Sequence, residues 1–167
     1  NGDVYFVTDR FVDHRRDLWR SDGTSNGTVT LGSFNSTETP DSATYPWYPV
    51  APLVNDPQLT NVNGKLYFLA DDGSHGTQLW KSDGTTGGTV IVRDVYPGLR
   101  AGADSFLTAI GTTLYFAGST PTTGRELWKS DGSSGGTTLV KDINPGTASS
   151  SPANFRAVGN TLFFTAN

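Results

Sequence analysis

The groups able to do chemistry in this chain are few in kind. Fourteen Asp and two Glu supply the carboxylates, His14 and His75 are the only imidazoles, and the 167 residues include no Cys. The missing thiols exclude cysteine nucleophiles, disulfides and zinc–thiolate centres together. Neither histidine has a motif partner, and His75 sits in the polar turn Gly73-Ser74-His75-Gly76, where a solvent-facing imidazole is the ordinary outcome. Glycoside hydrolysis needs two carboxylates converging on one bond, and nothing in the spacing of the acids selects such a pair. No glycine-rich phosphate cradle opens a helix. The chain is therefore expected to be non-enzymatic.

What is left is oxygen chemistry and aromatic surface. Hard cations want several oxygens, which makes Asp142 with Asn144, and Asp71 with Asp72, the candidate calcium ligands. No cofactor is indicated, calcium being the only ion for which oxygens can be named. Asp22, Asp83 and Asp131 each stand before a Gly in a Ser-Asp-Gly turn. An Asp so placed ties down its own loop N–H groups, so these three are read as structural. Trp19, Trp80 and Trp128 recur with them and are read as packing residues between repeats. Residues 35–57 differ from the rest. They hold five of the nine prolines and the cluster Tyr45-Pro46-Trp47-Tyr48-Pro49. Stiff backbone carrying flat apolar rings suits sugar stacking or protein docking, so Tyr45, Trp47 and Tyr48 are the candidate binding residues; the competing reading has the rings fold back over the chain's own sheet.

Charge narrows the partners further. A net charge of -4 with the twelve Lys and Arg scattered disfavours nucleic acid, and no segment is long and apolar enough to span a bilayer. Met is absent even at position 1, so the chain is expected to belong to a longer polypeptide or to be completed by further copies.

The elements that must position these residues are repeated. Asp17-Leu18-Trp19-Arg20-Ser21-Asp22-Gly23-Thr24 superposes on residues 78–85 and 126–133, and each segment is followed by a Gly-Thr pair. An aromatic pair precedes each Trp by about twelve residues, at Tyr5-Phe6, Tyr67-Phe68 and Tyr115-Phe116, and Phe163-Phe164 repeats it once more. Phe68, Phe116 and Phe164 are 48 residues apart, whereas Phe6 to Phe68 is 62, which locates the insertion in the first repeat. In the third copy, Phe106–Ile110, Thr113–Ala117, Arg125–Ser130 and Thr137–Lys141 read as four strands, with the segment from Gly118 to Gly124 as a turn. Four antiparallel strands per 48 residues is the blade of a β-propeller. The expected fold is all-β, about three and a third blades: residues 1–57, lacking the first strand and carrying the insertion 35–57; 58–105; 106–153; and the first two strands of another blade in 154–167. Strand counts of three, four, four and two follow.

The motif resembles the ELWxxDGT repeat, a tandem module of large secreted or surface proteins of bacteria. Glu126-Leu127-Trp128 with Asp131-Gly132, Gly136-Thr137 and Asp142-Ile143-Asn144-Pro145-Gly146 matches closely, and the copy around Trp80 nearly so. The first copy departs, with Asp17 in place of Glu. The resemblance implies no enzymatic activity, a secreted or cell-surface setting, and a structural or adhesive scaffold. The alternative is a carbohydrate-binding propeller segment, attached to a hydrolase in a parent chain. The partners expected are the remainder of such a chain or further copies completing the propeller, and a protein or glycan ligand.

Overall fold

The computed structural model describes residues 2–10, 12, 13, 15–35, 58–98 and 101–167, and among them there are thirteen strands and no helix. In chain order these are β1 (Val4–Arg10), β2 (Arg15–Ser21), β3 (Val29–Asn35), β4 (Thr60–Val62), β5 (Lys65–Asp71), β6 (Thr77–Ser82), β7 (Val90–Arg93), β8 (Ala103–Ile110), β9 (Thr113–Thr120), β10 (Gly124–Ser130), β11 (Thr138–Lys141), β12 (Ala153–Val158) and β13 (Thr161–Thr165). Every pairing is antiparallel, and consecutive strands pair in groups of three, four, four and two. We call these groups units one to four. The first two units are not separate sheets: Asn35 at the end of β3 pairs with Asp71 at the end of β5, joining them into one seven-stranded sheet. Among the described residues no sheet closes on itself.

Local structure departs from the sequence expectation in two places, both in unit three. Gly118 lies inside β9, opposite Glu126, and β9 continues to Thr120 instead of turning at Gly118. The glycine answers a close approach, since a Cβ there would stand 2.9 Å from both the Gly102 carbonyl oxygen and Trp128. Unit three also begins earlier than expected, at Ala103, through an irregular register that places Phe106 at φ 61°. Gln58 (φ 49°) and Asn154 (φ 59°) occupy the same offset in units two and four, so this left-handed kink is part of the repeat.

The strand pairing gives each unit two different faces, because neighbouring residues on a strand point oppositely. On one face Phe6 pairs with Trp19, Phe68 with Trp80 and Phe116 with Trp128, with ring centroids 6.2, 6.4 and 6.4 Å apart. On the other face Tyr5 stands opposite Arg20, Tyr67 opposite Lys81 and Tyr115 opposite Lys129. The Phe–Trp faces of units two and three each pack on the unit before them. Phe34 of unit one meets Phe68 and Trp80 edge-on at 5.5 and 5.0 Å, and one core cluster joins Leu18, Leu31 and Phe34 to Leu66 and Phe68. A second cluster joins Tyr67, Leu79, Val92 and Val95 of unit two to Leu107, Leu114, Phe116 and Trp128 of unit three. Units three and four meet where Phe106 stacks on Phe155 at 5.5 Å.

The Leu-Trp step carries a bulge in all three complete motifs. Pairing slips between Leu18 and Trp19, between Leu79 and Trp80, and between Leu127 and Trp128, leaving one extra residue on the partner strand: Leu31, Val92 and Val140. A bulge raises local twist and re-aims the residue it expels. Leu31 and Val92 are buried against the following unit, at 2% and 5% exposure, whereas Val140 is 43% exposed.

Candidate functional site

The most strongly built polar site is the Ser-Asp-Gly turn, and it is built three times. In unit three, Asp131 Oδ1 accepts from the Ser133 N–H (2.8 Å) and the Ser133 hydroxyl (2.7 Å), and Ser133 Oγ accepts from the Gly136 N–H at 3.0 Å. Below it the Ser130 and Thr137 hydroxyls meet at 2.7 Å, and Ser130 Oγ accepts from the Gly132 N–H at 2.9 Å. Asp83 with Thr85, and Asp22 with Thr24, repeat the arrangement. Gly27, Gly88 and Gly136 lie so close that a Cβ would collide with the Asp carboxylate. Hydrogen bonds from the Thr24, Thr85 and Ser133 hydroxyls, then from the backbone, hold Asp22, Asp83 and Asp131 below the ordinary carboxylate range. A carboxylate so engaged is a poor proton acceptor.

The turns of units two and three also seat in sockets made by the preceding unit. Gly84, at φ 89°, is buried beside Tyr5: a Cβ there would lie 2.9 Å from Tyr5 Oη, and Arg20 Nη1 donates to the Gly84 carbonyl at 3.4 Å. Gly132, at φ 86°, is buried beside Tyr67, whose hydroxyl a Cβ would overlap, while Lys81 Nζ donates to the Gly132 carbonyl at 2.8 Å. Burial, then the charge of Asp131, pushes the Tyr67 phenol above its ordinary value. Beside this contact Val62, Asn63, Lys65, Tyr67, Thr112 and Asp131 line a crevice of about 180 Å³. That is below the few hundred Å³ usual for organic ligands.

A third repeated device anchors the connection after each fourth strand. Glu126 is fully buried and accepts from the Ile143 N–H (3.0 Å), the Ser150 N–H (2.8 Å) and the Ser150 hydroxyl (2.6 Å). Gln78 does the equivalent work in unit two, accepting from the Val95 N–H at 3.1 Å and donating to Asp94 Oδ1 and the His75 carbonyl. Sequence reasoning missed this role, as it missed the Tyr–cation socket. Two signals were there: a Lys or Arg directly after every motif Trp, and one of only two Glu falling inside an apolar strand.

The expected calcium ligands are engaged within their own loops. Asp142 Oδ2 accepts from the Gly146 N–H, and the Asn144 side-chain amide donates to the Ser149 carbonyl. Asp71 accepts from the Gly73 N–H, and Asp72 accepts from the Ser74 and His75 N–H groups and pairs with His75 Nδ1 at 2.8 Å. Among the described residues no three His, Asp or Glu are grouped to hold a metal ion. The Trp19 ring N–H donates to the Thr8 hydroxyl (2.9 Å) and that of Trp80 to the Ala70 carbonyl (3.0 Å). Tyr45, Trp47 and Tyr48, with His14, lie outside the described residues.

No protein-family model matches the chain, and no curated protein and no solved structure matches it. Among the described residues no helix is long and apolar enough to cross a membrane.

Proposed function

We propose that the chain is a non-enzymatic scaffold segment of stacked propeller-type blades, serving a structural or adhesive role in an extracellular setting. The observation that carries this is the triplicate turn: the carboxylates and hydroxyls that recur most regularly are spent on closing hairpins and seating one unit on the next. Stacked repeats draw their stability from such nearest-neighbour interfaces. The secreted or surface setting rests on the resemblance to the ELWxxDGT repeat. The test is to replace Asp22, Asp83 and Asp131 singly by Ala and to follow thermal unfolding and binding to a protein and glycan panel. A scaffold loses stability in each variant and keeps its binding. Turnover or ligand binding abolished by one of the three, with the melting temperature unchanged, would overturn the reading. The rival, a glycan-binding segment, draws on the composition around Trp47, and glycan binding lost in Trp47→Ala would favour it.

A further inference from the structure

Units one and two present a filled socket, and unit three presents the same socket open. Tyr115 and Lys129 face each other across β9 and β10 as Tyr67 and Lys81 do across β5 and β6. Yet Lys129 is exposed where Lys81 is half-buried, and Tyr115 is half-buried where Tyr67 is buried. Val140, the bulge residue beside them, is 43% exposed against 5% for Val92. In both filled sockets the turn that enters belongs to the unit whose first two strands already lie on the same neighbour. β12 and β13 are the first two strands of unit four, and Phe155 of β12 already stacks on unit three. Among the described residues β13 pairs only with β12, leaving its other edge open.

We propose that the Tyr115–Lys129–Val140 face is a docking site for a Ser-Asp-Gly hairpin that pairs with the open edge of β13, its glycine seated on Tyr115 and its glycine carbonyl accepting from Lys129 Nζ. The occupant is specified by chemistry: only a turn glycine at positive φ, with no Cβ, fits under the Tyr hydroxyl, as at Gly84 and Gly132. This deepens the scaffold proposal and rests on it.

Acetic anhydride labelling of lysines, read by peptide mass spectrometry, tests it. In the chain as it stands Lys129 should acetylate freely while Lys81, bound to the Gly132 carbonyl, is protected. Asn167 is the counterpart of Ser119 at the 48-residue offset, so a copy of residues 120–146 appended after Asn167 supplies a hairpin of this chemistry. In that extended chain Lys129 reactivity should fall to the level of Lys81. An extension that folds, with an added near-ultraviolet signal from its own Trp, but leaves Lys129 fully reactive overturns this inference and spares the scaffold reading. An extension that stays unstructured overturns both. Concentration-dependent protection of Lys129 in the unextended chain, with dimers in sedimentation, would assign the face to the β2–β3 turn of a second copy and overturn the assignment to a hairpin paired with β13.

Discussion

Gly23, Gly84 and Gly132 share one backbone conformation, φ 86–90°, and differ only in what surrounds them. Gly23 has nothing within 4 Å of a Cβ position, whereas Gly132 faces Tyr67. Gly23→Ala should therefore cost only the conformational penalty, about 1–2 kcal/mol. Gly132→Ala should add overpacking of roughly 1–3 kcal/mol. Urea unfolding of both variants checks this, and Tyr67→Ala combined with Gly132→Ala should recover part of the difference, since contacting residues couple. The His75–Asp72 pair gives a second residue-scale prediction. Its hydrogen bond to Asp72, and then the Asp72 charge, raises His75 above its ordinary 6.5. Stability from the pair is thus fully present below pH 6.5 and is lost as pH rises through the folded value. NMR titration should find His75 shifted up in the native chain and returned toward 6.5 in Asp72→Asn.

At the scale of strands and connections, Phe116 and Phe6 occupy equivalent places and pack differently. Phe116 is 0% exposed and Phe6 is 36% exposed. Phe116→Ala should cost about 3–5 kcal/mol and Phe6→Ala distinctly less, measured as shifts in the urea midpoint. Glu126→Ala should strand the Ile143 and Ser150 N–H groups, at a cost on the order of 3 kcal/mol, and hydrogen exchange should quicken in residues 142–152 first. Strand identity was legible because alternating aromatics and Gly-rich turns carry it locally. Gly118 was not, because glycine signals a turn and a close contact equally, and only the positions of Trp128 and the Gly102 carbonyl decide between them. The bulge at the Leu-Trp step was likewise hidden: the sequence shows the same residues whether or not the partner strand carries one more. Glu126 and the Tyr–cation pairs escaped notice because their partners lie in other connections or other units, outside any local pattern.

For the molecule as a whole, three copies of one carboxylate device should give a shared acid response. Asp22, Asp83 and Asp131 titrate below 3.8 in the folded chain. Their contribution is complete above the unfolded value and drains away as pH falls through the folded ones. Replacing all three by Asn should flatten the dependence of unfolding free energy on pH on the acid side of the ordinary carboxylate value, measured by urea titration. The 48-residue period made the all-β architecture readable, since every copy votes for the same strands. How units meet was not readable, because the seating of a glycine under a tyrosine depends on two copies at once. That seating has a consequence for symmetry. Units one to three each offer a Phe–Trp face and a glycine turn on one side and a Tyr–cation socket on the other, so the two sides are complementary and never alike. A two-fold axis would set Lys129 against Lys129 and leave both turns unseated. Contacts through these faces must therefore run head to tail, in a fixed polar order, and the rotation from one unit to the next decides whether such a series bends back on itself as a ring or runs on as a filament.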